Sequence, residues 1–188
     1  GEYYNIIGWL DNRNFICQKS LNGVKEFLIV QPDGNSRVLD VQGYNIEILD
    51  ISPNAYIAFI LDYSLSNEII ISELIKEDDL FTGKAREIFR YYDRGIFQNI
   101  HHLSGGFSPK GEKYAFVFVP KDSPLERWIG MIDIKSGTVK RIDNLLTDTE
   151  GSRKHFYGVA WLNDTSLLGY IDDNGEKTTW IYFFGRRE

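Results

Sequence analysis

The chain repeats a pattern of hydrophobic and polar positions that predicts β-hairpins. Its fullest example is the segment 107–118, in which an aromatic residue is followed by the turn Ser-Pro-Lys-Gly and an apolar strand. Pro109 sets φ near −65° at the first turn position, and Gly111 supplies a conformation that other residues resist. After the turn, large aromatic residues alternate with other side chains at the two-residue period of a strand. These aromatic residues are Tyr114, Phe116 and Phe118.

Four units of this kind follow one another, each beginning at an aromatic or apolar anchor residue. The anchors are Trp9, Ile51, Phe107 and Trp161, spaced 42, 56 and 54 residues apart. A third strand begins about twenty residues after each anchor, and a fourth strand closes the first three units. A period near fifty with about four strands is typical of propeller blades. A sandwich or barrel with evenly spaced turns is the alternative.

We therefore expect an all-β chain, with a β-propeller of about four antiparallel blades as a single domain over residues 1–188. The units cover about 3–43, 44–93, 98–148 and 154–188. The four anchors should be buried at equivalent places between blades. Residues 74–84 are predicted to form a longer acidic loop, with at most a short helical turn at 74–80.

The fourth unit ends without a fourth strand, which affects how the terminal blades are covered. One expectation is a closed ring of four blades. The other is an incomplete propeller whose apolar flanks and unpaired strand edges are covered by self-association or by further native sequence.

Composition narrows the function classes. With 27 acidic and 21 basic residues and a net charge of −6, the chain lacks the clustered basic surface that nucleic acid requires. No apolar stretch approaches the length of a membrane span. Cys17 is the only cysteine, which excludes an intrachain disulfide and favours a small strand residue over a nucleophile. The chain starts at Gly1 without Met, so a targeting segment is expected to have been removed.

Candidate chemistry is sparse. Ser108 resembles a nucleophile elbow, but its glycine comes one place too late and strands flank the turn. His101 and His102 are adjacent in a predicted strand, so their side chains cannot chelate one metal together. Residues 172–176 have oxygen ligands near a glycine, yet a hairpin turn explains them better than a calcium loop. We expect no cofactor, no metal and no catalytic residues.

The turn motif also identifies a resemblance. An aromatic residue, Ser-Pro, a Gly turn and an Ala-Phe strand, as in 107–116 and partly in 51–59, are similar to the TolB-type, WD-repeat-like propeller repeats. Trp9 and Trp161 keep the aromatic residue and the turn but lack Ser-Pro. The resemblance covers nearly the whole chain. Family members commonly have six or more blades, so about four blades here is a departure.

The resemblance implies a fold that serves many functions. In a propeller, the loops before each innermost strand and between the second and third strands share one face. On that face we predict a ligand-binding surface of seven residues: Tyr44, Asp62, Arg94, His101, Arg153, His155 and Asp172.

From this resemblance we expect a non-catalytic, extracytoplasmic binding or scaffolding module that recognises a protein, a peptide or a cell-envelope component. The alternative is a propeller domain accessory to a hydrolase or peptidase whose catalytic module lies outside this chain. A third reading is a calcium- or zinc-dependent enzyme built on the propeller itself.

Overall fold

The chain folds into four antiparallel β-sheets. A computed structural model describes residues 2–41, 46–63, 66–92, 97–120, 127–142, 155–173 and 176–183. Within these ranges every regular element is a strand, which confirms the all-β prediction.

Each sheet is a meander whose strands are neighbours in chain order. The first sheet contains β1 (Glu2–Trp9), β2 (Phe15–Leu21), β3 (Val24–Val30) and β4 (Ser36–Val38). The second contains β5 (Ile46–Ile51), β6 (Tyr56–Tyr63), β7 (Ser66–Glu77) and β8 (Leu80–Tyr92). The third contains β9 (Phe97–Phe107), β10 (Lys113–Pro120), β11 (Trp128–Asp133) and β12 (Thr138–Arg141). The fourth contains β13 (His155–Asn163), β14 (Ser166–Asp173) and β15 (Glu176–Phe183).

The four sheets are the blades of a propeller. The first strands of consecutive sheets contact one another, β1 with β5, β5 with β9 and β9 with β13, so these strands are innermost. No strand pair from the first and fourth sheets packs closely among the described residues. The four-bladed propeller arrangement predicted from the repeats is therefore confirmed.

The hydrophobic core consists of three clusters, one between each pair of consecutive blades. Blades 1 and 2 enclose the first cluster, which includes Ile16, Ile29, Ile57 and Phe59. Blades 2 and 3 enclose the second, which includes Ala58, Ile71, Phe107 and Tyr114. Blades 3 and 4 enclose the third, which includes Ala115, Met131, Leu167 and Tyr182.

Strand register explains why each blade contributes to two clusters. Successive side chains of a strand point to opposite faces of the sheet. We call the face toward the preceding blade the leading flank and the face toward the following blade the trailing flank. In blade 3, Tyr114 is paired with Phe107 and Ile132 on the leading flank. The next residue, Ala115, is paired with Met131 on the trailing flank.

The prediction that all four anchors are buried is wrong for Trp9. Phe107 is only 8% exposed, and Ile51 and Trp161 pack against the core clusters. Trp9 is 62% exposed. The reason is that the anchors are on leading flanks, and in the described part of the chain no blade precedes blade 1.

The predicted acidic loop at 74–84 is also wrong, as is the helical turn at 74–80. Strands β7 and β8 continue through this segment and form a long hairpin. Asp78 and Asp79 form its tip with φ of 50° and 62°, the left-handed angles of a two-residue hairpin turn. Leu74 and Phe81 anchor the hairpin in the first core cluster, which a solvent-exposed loop could not do.

Candidate binding surfaces

We predict a binding surface at the loop face, which is the end of the propeller toward which the strand pairs β6–β7 and β14–β15 lead. Tyr44, Arg94 and Arg153 lie outside the described residues. The other four lie in strands of which only the backbone is described at these positions: Asp62 in β6, His101 in β9, His155 in β13 and Asp172 in β14.

The backbone brings two of these residues together. His155 and Asp172 are direct partners across β13 and β14, close to the loop face. Asp62 also lies near this face, next to the turn into β7. His101 is farther along its strand, where it is paired with Val117. The assembly of all seven residues into one site stays a prediction.

The opposite end, which we call the turn face, carries the tight turns between the first and second strands of each blade. Here the turns of blades 2, 3 and 4 are hydrogen-bonded in series. Asn54 donates a hydrogen bond from its side-chain amide to the carbonyl oxygen of Lys110. The Lys110 backbone N–H donates to the Asp164 carboxylate over 2.7 Å. These bonds link blades 2, 3 and 4 rigidly.

Gly111 is required at the centre of this network. Its φ is +68°, and an added Cβ would approach the Ser52 hydroxyl and lie 3.0 Å from Nδ2 of Asn54. The turn of blade 3 therefore packs directly onto the turn of blade 2. The sequence identified Gly111 as a turn residue, but its close approach to a neighbouring blade depends on tertiary structure.

A half-buried carboxylate joins blades 2 and 3. Oδ2 of Asp50 accepts a hydrogen bond of 2.7 Å from the Phe107 backbone N–H. Burial raises the pKa of the Asp50 carboxyl above its ordinary value, although this bond and one from the Ile51 backbone oppose the shift. Burial also raises the pKa of the Tyr114 hydroxyl, and the negative charge of Asp50 raises it further. Trp161 makes the corresponding link from blade 4, donating from Nε1 to the Gly106 carbonyl oxygen over 2.8 Å.

A groove of about 610 Å³ opens on the turn face between blades 1 and 2. Its charged groups are paired with each other: Lys76 with Asp11 at 3.5 Å, and Arg86 with Glu73. Sequence reasoning missed this groove because it treated 74–84 as a loop. The adjacent Asp78-Asp79 pair was the signal that could have identified the hairpin.

The described residues hold no cluster of His, Cys, Asp and Glu side chains that could bind a metal ion. Ser108 is buried in its turn, where its hydroxyl accepts a hydrogen bond of 3.2 Å from the Lys113 backbone N–H, as expected of a turn residue. Cys17 is buried in β2, and burial raises the pKa of its thiol. Among the described residues, no helix is long and apolar enough to cross a membrane.

The two terminal blades present apolar flanks to solvent. On the leading flank of blade 1, Ile6 is 63% and Trp9 62% exposed. On the trailing flank of blade 4, Ile181 is 51% and Phe183 70% exposed. No described strand is paired with the outer edge of β15, whereas β3, β7 and β11 each have an outer neighbour.

Comparison with solved structures finds proteins with a similar fold. An uncharacterized protein from Listeria monocytogenes superimposes with a TM-score of 0.60 at 14% identity, over 96% of this chain and 54% of that one. TolB from Acinetobacter baumannii superimposes with a TM-score of 0.50 at 16% identity, over 94% of this chain and 43% of that one. The chain thus spans about half the length of these proteins.

Sequence comparison adds no relationship. No protein-family model matches the chain, and no curated protein matches it in sequence. At these identities the structural likeness concerns the fold alone. The four blades and the structural comparisons together show that this protein is a β-propeller with a TolB-like fold.

Proposed function

We propose that this protein is a non-catalytic binding module that recognises a protein or peptide partner through its loop face. The observation that supports this is the division between the two ends of the propeller. Hydrogen bonds between blades fix the turn face, as between Lys110 and Asp164. At the other end, the described strand pairs β2–β3, β6–β7 and β14–β15 lead to a common face of the propeller. Loops that vary over a rigid scaffold are the usual way in which folds of this kind bind partners.

The chemistry of the loop face fits a polar peptide. The seven predicted residues combine arginine, histidine, aspartate and tyrosine side chains, which supply both hydrogen-bond donors and acceptors. His155 and Asp172 are cross-strand partners close to this face, so the backbone places a histidine and an aspartate at neighbouring positions. By its likeness to TolB we also propose that the protein acts outside the cytoplasm, at the cell envelope.

Selection from a random peptide library, followed by affinity measurement with the synthetic peptides, tests the binding role. We expect the double variant Arg94→Ala/Arg153→Ala to weaken binding at least tenfold. Arg13→Ala is the matched control, because Arg13 is an exposed arginine in the β1–β2 turn, at the opposite end. Failure to select any peptide, or equal affinities for all variants, would contradict the proposal.

A second assay tests the absence of catalysis. The purified protein should not turn over generic ester, peptide or phosphate substrates. Turnover that disappears in His101→Ala or His155→Ala would show that the protein is an enzyme and that the proposal is wrong.

A further inference from the structure

The three interfaces between consecutive blades are all formed in the same way. Each joins the trailing flank of one blade to the leading flank of the next. At the interface of blades 3 and 4, Ala115 and Met131 come from the trailing flank, whereas Leu167 and Tyr182 come from the leading flank. No internal interface joins two flanks of the same type.

Register shows which residues of blade 4 belong to its trailing flank. Leu167 is paired with Tyr182, and both are buried against blade 3. The next residue, Leu168, is paired with Ile181 and points to the opposite face. Leu168 and Ile181 are thus the counterparts of Ala115 and Met131, yet Ile181 is 51% exposed whereas Met131 is buried.

The same argument applies to blade 1 in the reverse direction. Phe15 is paired with Trp9 and Val30, as Tyr114 in blade 3 is paired with Phe107 and Ile132. Trp9 lies edge-on to Phe15, with ring centroids 5.3 Å apart. Their counterparts in blade 3 are buried, but Trp9 is exposed to solvent.

The described part of the chain therefore has two exposed apolar flanks, and they are of opposite type. We propose that a second copy of this chain covers them, with the trailing flank of blade 4 in each copy packed on the leading flank of blade 1 in the other. Two such contacts, related by a twofold axis, close a ring of eight blades. Propellers typically have four to eight blades, so two copies of four complete a ring within the usual range, and three would exceed it.

The arrangement obeys the rule for a twofold dimer, in which residue i of one copy contacts residue j of the other and j contacts i. Here i and j lie on the trailing and leading flanks, and the twofold axis relates two separate, equivalent contacts that close the ring. The assembly uses the flanks rather than the loop face, so it can fail while the proposed binding function holds, and the reverse.

Two variants at exposed positions test the proposal without disturbing the monomer. Trp9→Glu places a charge on the leading flank, and Ile181→Glu places one on the trailing flank. Leu80→Glu is the control, because Leu80 is an exposed apolar residue at the β7–β8 turn, remote from both flanks. Circular dichroism of each variant verifies that it folds.

Sedimentation velocity and light scattering of the wild type should give twice the 21.8 kDa mass of one chain. Leu80→Glu should also be dimeric, whereas Trp9→Glu and Ile181→Glu should each be monomeric, since each removes one partner from both contacts. An equimolar mixture of the two flank variants should recover a weaker dimer, because one intact trailing flank and one intact leading flank remain.

Several results would overturn the proposal. A monomeric wild type would mean that a second copy does not cover the flanks and that further blades of a longer chain could do so instead. A dimer that Trp9→Glu abolishes but Ile181→Glu does not would mean that leading flanks pack on each other. A mixture that stays monomeric, or a wild-type mass of three or more chains, would also contradict the two-copy ring.

Discussion

The exposure of Trp9 and the burial of Phe107 allow the repeat assignment to be tested by a matched pair of substitutions. Both residues are anchors at the same register position of their blades, but Phe107 is 8% exposed and Trp9 62%. Phe107 packs in the second core cluster, with its ring centroid 5.1 Å from that of Tyr114. If the two positions differ only in the presence of a preceding blade, the same truncation should have very different costs.

The expected magnitudes follow from these surroundings. Truncation of a buried aromatic residue costs about 3–5 kcal/mol, so Phe107→Ala should lose that much of its free energy of unfolding. Trp9→Ala removes mainly an edge-on contact with Phe15, which is worth about 1 kcal/mol. For a chain of this size each kcal/mol shifts Tm by roughly 2–4 °C. Phe107→Ala should therefore lower Tm by about 6–20 °C, and Trp9→Ala by only a few degrees.

The assay is thermal and urea unfolding followed by circular dichroism, at a protein concentration at which the chain is monomeric. If Phe107→Ala does not fold, Phe107→Leu keeps the comparison possible with a smaller loss. Equal losses for Trp9→Ala and Phe107→Ala would refute the reasoning, because they would show that the anchors do not differ in their packing within one chain.

Two further predictions concern the links between blades. Gly111→Ala should destabilise the protein more than Gly34→Ala in urea unfolding. Both glycines have positive φ, but an added Cβ meets Asn54 only at Gly111 and nothing within 4 Å at Gly34; equal losses would contradict the packing of one turn on the next. Asp50→Asn should gain stability relative to the wild type as the pH rises from about 3.5 to 7, measured as the difference in free energy of unfolding at the two values. The pKa of Asp50 is higher in the folded than in the unfolded protein, so its stabilising effect is fully present below the unfolded-state pKa of about 3.9 and is lost as the pH rises through the folded-state pKa. A stability difference between variant and wild type that stays constant with pH, or changes in the opposite direction, would contradict this prediction.

The sequence alone determined the fold class and the blade pattern of this protein. The reason is that the two-residue period of strands and the chemistry of tight turns are local, so they can be read from neighbouring residues. The turn at Ser108 and Gly111 was predicted correctly. The same local signals failed at Asp78-Asp79, where acidic composition suggested a loop and hid a two-residue hairpin turn.

Only the tertiary structure decided which repeated residues are buried. Trp9 and Phe107 occupy the same position in their repeats, and the repeat pattern predicts burial for both. Their environments differ because burial depends on the adjacent blade, and blade 1 has no predecessor among the described residues. The contacts that lock blades together, such as Asp50 with Phe107 and Asp164 with Lys110, span more than fifty positions of sequence and follow from the packing of one blade on the next.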